Sequence, residues 1–140
     1  MLTQRIQAKN LLFMRLNPGD DVLEKIREAA AKENIKNAVI LSGVGSVTSH
    51  HFHVVASPVN PPKEDFTKGE KPADIVNING FIINGRVHAH IIFSDKDKAY
   101  GGHLEPGVKV LTFAILSMAE VDVDFDKFDS IGDIEELLKQ

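Results

Sequence analysis

The first third of the chain changes from a continuous apolar run to apolar positions at helical spacing. Residues 11–16 are predicted to form a buried strand, and Asn17-Pro18-Gly19 after them is a strong turn signal. Asp20 is expected to cap a following helix, because a carboxylate there can accept a backbone N–H of the first turn. Asn34 is the expected end of this helix. Its apolar stripe, which predicts one buried face, consists of Val22, Leu23, Ile26 and Ala30.

Two further strands and a long proline-rich loop are predicted over residues 37–72. Residues 37–41 form an apolar strand that runs into Gly43-Val44-Gly45, and residues 50–56 form the next strand. The glycine pair lacks the third glycine of a dinucleotide fingerprint and the Lys-Ser/Thr of a phosphate loop, so a bend or bulge is expected. Residues 57–72 are rich in proline, which predicts a long exposed loop suited to a lid or a partner contact.

The second half of the chain is predicted to contain strands linked by hairpins. Asn84-Gly85 is a favoured sequence for a type I′ turn between two strands. A charged turn at residues 95–98 precedes Gly101-Gly102-His103, and Ser130 is expected to cap a short final helix. The predicted strands of this half cover residues 75–83, 86–93, 108–116 and 118–125.

Hairpin-linked strands with one long helix indicate an α+β fold. We expect a largely antiparallel β-sheet, with the long helix packed on it and a short C-terminal helix, in a single domain of residues 1–140. A chain of 140 residues can build one sizeable core. The sequence has no cysteine, which excludes disulfides and thiolate catalysis. It shows neither a secretory leader nor a long apolar span, so a soluble, cytoplasmic protein with no membrane contact is expected.

The charge balance is acidic and uneven. The chain carries 16 Lys and Arg against 20 Asp and Glu, a formal net charge of −4. Carboxylates concentrate near the carboxyl end and are interpreted as a solvated edge and a polar helix face. Phosphate contacts dominate nucleic-acid affinity, so this balance disfavours direct DNA binding without excluding it.

Two short segments carry the strongest chemical signal. His88-Ala89-His90 on a strand puts two imidazoles on one face, because side chains alternate with period two. His103 follows two glycines, which permit a close backbone approach. Three histidines that converge leave an open coordination position of the kind zinc favours, and the three are predicted to bind a metal. Zinc is the expected metal, while nickel, copper and iron stay open because imidazole suits them all.

A second His-x-His segment lies earlier in the chain. His51 and His53 share one face of a predicted strand, with His50 beside them. No third partner stands at a suggestive position, so these side chains are interpreted as partly exposed strand histidines. The sequence leaves their role open, including that of a supplementary ligand.

Carboxylates and arginines near the histidines are candidates for a pocket. Glu105 follows His103 by two residues, so it can face the same pocket, and Glu120 can approach across the sheet. Either carboxylate is a candidate general base, since a zinc hydrolase needs one near the metal. Arg86 and Arg15 could hold an anionic ligand through paired hydrogen bonds. No serine or other nucleophile constellation is visible.

The order of motifs resembles one known family over nearly all of the chain. The segments that carry the resemblance are Arg15-Leu-Asn-Pro-Gly-Asp20, Ser42-Gly-Val-Gly-Ser46, Asn79-Gly80, His88-Ala-His90 and Gly101-Gly-His103-Leu-Glu-Pro-Gly107. Together they resemble the PPC ("plants and prokaryotes conserved") domain. The resemblance implies one α+β domain assembled as a homotrimer. In plant members of that family, AT-hook motifs bind DNA and the domain mediates trimerisation and protein contacts. This chain has no Arg-Gly-Arg-Pro hook, so it is similar to a stand-alone prokaryotic-type member.

Three functions are compatible with these residues. The first is a zinc-binding, trimeric PPC-like domain that acts as a regulatory or small-ligand-binding module. Its open coordination position would take water or a small anion. The second is a zinc-dependent hydrolase or lyase that uses metal-bound water, with Glu105 or Glu120 as the base. The third is an accessory DNA-binding protein. The sequence leaves open whether the chain is an enzyme, what its ligand or substrate is, and what the fourth metal ligand is.

Overall fold

A computed structural model describes residues 3–122 and Phe128. The one helix of this part of the chain is α1 (Val22–Lys32). The strands are β1 (Ala8–Leu16), β2 (Ala38–Val47), β3 (His50–Val55), β4 (Glu64–Gly69), β5 (Ala73–Ile83), β6 (Arg86–Ser94), β7 (Ala99–Leu104) and β8 (Val110–Val121). The predicted helix capped by Ser130 lies outside the described residues. Within the described residues, no helix has the length and apolar character needed to cross a membrane.

All eight strands belong to one sheet in the order β1-β8-β2-β5-β6-β7-β3-β4. Every pairing within it is antiparallel, which confirms the expected sheet type. The Asn84-Gly85 turn joins β5 to β6 as predicted, and both residues have the positive φ that a type I′ turn requires. The consecutive strands β6 and β7 also pair, as do β3 and β4, whereas the other neighbours in the sheet are not consecutive in the chain. In particular, β3 pairs with β7 rather than with β2.

The helix packs on one face of the sheet and closes the core. Val22 and Ile26 of α1 are fully buried, in the same apolar cluster as Ile78 of β5 and Ile91 of β6. Burial of such side chains contributes roughly 1.5–3 kcal/mol each. The opposite face of the sheet remains open among the described residues.

The N-cap of α1 is one residue later than expected. Asp21, and not Asp20, has the extended backbone of a cap, and its carboxylate accepts the Glu24 N–H at 3.2 Å. The same carboxylate accepts the Gly107 N–H at 2.7 Å, so it also fixes the loop before β8. Asp20 accepts the Asn17 N–H instead and closes the preceding turn. The predicted helix end is confirmed closely, since Asn34 follows the helix with a φ of 59°.

Three details of the predicted strands are wrong. The expected irregular loop 57–72 contains β4, whose backbone pairs with β3 along its whole length. The expected break between strands 108–116 and 118–125 is absent, because Ser117 pairs with Phe13 on one side and Ser42 on the other. The glycine segment of β2 does not end the strand. It lies inside β2, and the irregularities of the β2–β8 ladder on either side of it confirm the bulge that was expected there.

Candidate metal centre

The register of three neighbouring strands brings four histidines onto the open face of the sheet. His90 of β6 pairs directly with His103 of β7, and His103 pairs with His53 of β3. Directly paired residues of antiparallel strands point to the same face, so the three imidazoles form one row. His88 lies two residues before His90 on β6 and therefore shares that face. The consecutive strands β6 and β7 thus bring three histidines together, and the pairing of β7 with β3, which is distant in sequence, adds His53.

The three predicted ligands converge. One ring nitrogen of each of His88, His90 and His103 lies within 4.8 Å of the others. The His103 ring stands nearly perpendicular to that of His88, with centroids 4.7 Å apart, and the His88 and His90 rings stack at 5.6 Å. Nitrogens bound to one tetrahedral zinc lie about 3.3 Å apart, so side-chain rotation can close the site.

Burial and the neighbouring imidazoles lower the pKa of His103 and of His90, which favours the neutral form of these two side chains. Burial, and then the neighbouring rings of His88, His53 and His90, lower the pKa of His103 to about 4 from 6.5. The same causes, burial followed by His88 and His53, lower the pKa of His90. Neutral imidazole is the metal-ligating form.

A second group overlaps the first and includes a histidine that the sequence left unassigned. One potential ligand atom of each of His53, His103 and Glu105 lies within 4.8 Å of the others. The His53 and His103 rings stack with centroids 4.4 Å apart. The Nδ1 atom of His53 lies 2.7 Å from Oε1 of Glu105, and both side chains are largely buried, at 15% and 22% exposure. Glu105 therefore faces the histidines, held in place by His53.

Strand β4, absent from the predicted elements, forms the outer wall of this second group. The Phe66 ring packs against His53 with centroids 5.0 Å apart. A carboxylate oxygen of Glu64 lies 3.7 Å from the Nε2 atom of His53. The only sequence signal for His53 was its His-x-His spacing, because the contact with His103 depends on the non-local pairing of β3 with β7.

The other candidate residues lie elsewhere. Glu120 of β8 accepts a hydrogen bond from Asn10 at 3.0 Å, and two strands separate β8 from β6, so it does not reach the cluster. Arg15 hydrogen-bonds Asn17 and lies over the Phe113 ring, also far across the sheet. Arg86 begins β6, two residues before His88, and therefore lies on the same face at the hairpin end.

The remaining histidines of β3 have separate environments. His50 contacts the rings of Phe93 and Tyr100 on the core side of the sheet. Burial, and then Lys71 and Lys98, lower its pKa. The Nδ1 atom of His51 lies 2.7 Å from the carbonyl oxygen of Pro106. Neither residue joins the described ligand groups.

The glycine pair before His103 is required by strand packing. A Cβ atom on Gly101 would lie 2.0 Å from the Ile91 carbonyl oxygen, and one on Gly102 would lie 2.3 Å from that of His53. Real Cβ contacts are never this short. Glycine thus lets β6, β7 and β3 approach closely where the histidines meet, which matches the close approach expected from the sequence.

The fold and the histidine-rich face define an α+β sheet domain with a candidate metal centre. A model of the Plants and Prokaryotes Conserved (PCC) domain matches residues 4–122, so the chain belongs to this family. This confirms the resemblance that the motifs indicated.

Known proteins show the same fold. A metal-containing protein from Archaeoglobus fulgidus is 20% identical, with a TM-score of 0.76 over 91% of this chain and 94% of that one. A plant- and prokaryote-conserved protein from Pyrococcus horikoshii is 19% identical, with a TM-score of 0.75 over 89% and 87%. A suggested DNA-binding protein from Ralstonia eutropha JMP134 is 25% identical, with a TM-score of 0.65 over 79% and 76%.

A longer protein also contains a related segment. The chain is 27% identical over 108 residues to the bifunctional protein GlmU of Synechococcus sp. strain JA-3-3Ab. That match covers 76% of this chain but 16% of the GlmU protein, so the chain spans less than a fifth of this relative.

Proposed function

We propose that this chain is a cytoplasmic metal-binding module, with His88, His90 and His103 as ligands and zinc as the metal. The observation that carries the proposal is the convergence of three ring nitrogens within 4.8 Å on two paired strands. The metal-containing relative from Archaeoglobus fulgidus supports it. The donor set fits zinc, since three imidazoles leave one coordination position open. A bound zinc would supply Lewis acidity at that position.

The module would act as a homotrimer with a regulatory or small-ligand-binding role. The family resemblance is the reason for the trimer. Large apolar side chains on the open face, such as Leu11, Phe13 and Phe113, are exposed and would suit contact with further subunits. The open position beside the three imidazoles is where water, a small anion or another small ligand would bind.

A zinc-dependent hydrolase or lyase is the second candidate, and the position of Glu105 favours it. This carboxylate lies within 4.8 Å of a ligand atom of His103, and its hydrogen bond to His53 fixes its orientation. A carboxylate so placed could accept a proton from water at the open position. If the chain is such an enzyme, the zinc-loaded protein should hydrolyse p-nitrophenyl acetate. The Glu105→Gln variant should retain its zinc and hydrolyse this ester at least about 100-fold more slowly. Equal rates would contradict the enzyme hypothesis.

DNA binding is the third candidate, supported by the Ralstonia relative. The formal net charge of −4 opposes it, since a protein that binds DNA through phosphates needs a basic surface. A DNA affinity that falls steeply with added salt would favour this candidate.

Elemental mass spectrometry on untagged protein tests the leading proposal. We expect about one zinc per chain, and its loss in the His88→Ala/His90→Ala variant. His51→Ala is the matched control, because it removes an imidazole outside the ligand groups and should keep the zinc. Absence of metal from the wild-type protein, or equal zinc in all three proteins, would overturn the proposal.

A further inference from the structure

A groove of about 460 Å³ opens beside His90 on the open face of the sheet. Asn77 and Asn79 of β5 form one side of it, and His90 and Ile92 of β6 form the other. Strand register explains this arrangement, because Asn79 pairs with His90 and Asn77 pairs with Ile92. The groove therefore continues directly from the candidate metal centre through the shared side chain of His90.

The groove exists because one position of β7 carries no side chain. Gly101 pairs with Ile92 and lines the groove. Packing against the Ile91 carbonyl oxygen excludes any larger residue at this position. The requirement for glycine thus leaves an open space next to His103, which lies two residues further along the same strand.

Two carboxamides face this space with unused hydrogen-bonding capacity. Within residues 3–122, the side chains of Asn77 and Asn79 have no protein hydrogen-bond partner. Each carboxamide offers one acceptor oxygen and two N–H donors. Two such groups at alternate positions of one strand can meet a planar group that presents a donor and an acceptor side by side.

The charge of the lining narrows the ligand class. No lysine, arginine, aspartate or glutamate lines the groove among the described residues. A formally charged group bound there would lose hydration without a compensating partner, whereas an amide would be satisfied by the carboxamides.

We propose that this groove is the recognition half of the metal centre and binds the neutral amide group of a small ligand whose other end coordinates the metal. This inference rests on the proposed metal function. It extends that function from metal binding to the selection of a ligand class.

Cobalt(II)-loaded protein provides a direct test, because ligand binding at the open position changes the visible spectrum of the metal. The probes are 3-acetylpyridine and nicotinamide, since both carry a carbonyl group beside a ring nitrogen of similar basicity and only nicotinamide has the N–H donors of an amide. We expect nicotinamide to bind about tenfold more tightly than 3-acetylpyridine, the effect of one or two additional neutral hydrogen bonds.

An Asn79→Leu variant should abolish this preference. It removes the carboxamide at nearly constant size, and its cobalt content should stay at the wild-type value. Asn10→Leu is the matched control, because it removes a carboxamide from β1, which three strands separate from β6, and it should keep the preference.

The outcomes separate this inference from the function on which it rests. Bound cobalt with equal affinities for the two probes, or a preference that survives Asn79→Leu, would overturn the inference alone. Protein that binds no cobalt would overturn the metal function, and the inference with it.

Discussion

The two faces of the sheet differ in chemistry although the same strands build both. Along β6, Ala89, Ile91 and Phe93 are buried in the core, while His88 and His90 alternate with them on the open face. The core face carries the stability that apolar burial supplies. The open face collects imidazoles, carboxamides and one oriented carboxylate. If the proposed metal centre is correct, stability and metal binding should therefore respond to substitutions at alternate residues of the same strand.

The largest effect is expected on the free energy of unfolding, when two adjacent isoleucines of β6 are replaced in turn. Ile91 is 1% exposed and Ile92 is 47% exposed. Ile91→Ala should lower the free energy of unfolding by about 2–5 kcal/mol, through lost burial and the cavity that remains. Ile92→Ala should lower it by less than about 1 kcal/mol. Urea denaturation measures both, and equal losses would contradict the division between the faces.

Metal addition should stabilise the fold through the open face alone. At a free zinc concentration 100 times Kd, binding adds about 2.7 kcal/mol, which corresponds to a rise in Tm of roughly 10 °C. His88→Ala/His90→Ala should show no rise, while its Tm without metal stays near the wild-type value. Differential scanning fluorimetry, with and without zinc, checks this. A zinc-dependent rise of equal size in the variant would place the metal elsewhere.

Replacement of Asp21 should have a smaller effect, confined to the helix side. Asp21→Ala removes the cap of α1 and the acceptor for Gly107, and should cost about 1–2 kcal/mol. Asp20→Ala, the cap expected from the sequence, should cost less because Asp20 only closes a turn. Thermal unfolding of the two variants ranks them, and the reverse order would show that the assigned cap is incorrect.

The smallest effect concerns the turn that joins β6 to β7. A hydrogen bond from Lys71, and then backbone N–H groups of Asp97 and Lys98, lower the pKa of Asp95 from 3.8 to about 2. A lowered carboxyl pKa contributes stability that is present above pH 4 and lost as the pH falls towards 2.

Asp95→Asn should therefore flatten the acid dependence of stability between pH 4 and pH 2. Urea midpoints across this range provide the measurement. Asp97→Asn is the control, because it leaves the carboxylate of Asp95 and its contact with Lys71 in place. Identical acid profiles for wild type and Asp95→Asn would exclude this contribution.

The pattern of neighbouring residues correctly predicted those elements whose structure depends mainly on residues close together in the chain. The apolar stripe of α1, the Asn84-Gly85 turn and the alternation of β6 are such cases. Strand β4 was missed because its side chains are nearly all exposed, so no apolar alternation marks it. It forms through backbone pairing with β3, which a single sequence does not reveal.

The candidate metal centre was likewise predictable only where local sequence determines it. Strand alternation alone places His88 and His90 on one face, and the two glycines before His103 indicated a close approach of the backbone there. His53 lies beside His103 only because β3 pairs with β7. Glu120 lies far from the histidines because two strands separate β8 from β6. Both facts are properties of non-local topology, which spacing along the chain does not encode.

X-ray absorption at the zinc edge tests the central claim most directly, because it reports the atoms bound to the metal. For zinc-loaded protein we predict a four-coordinate centre with imidazole nitrogens at about 2.0–2.1 Å and multiple scattering from about three rings. His88→Ala/His90→Ala should lose this signature. A six-coordinate centre of oxygen ligands without imidazole scattering would contradict the assignment of His88, His90 and His103 as the metal site.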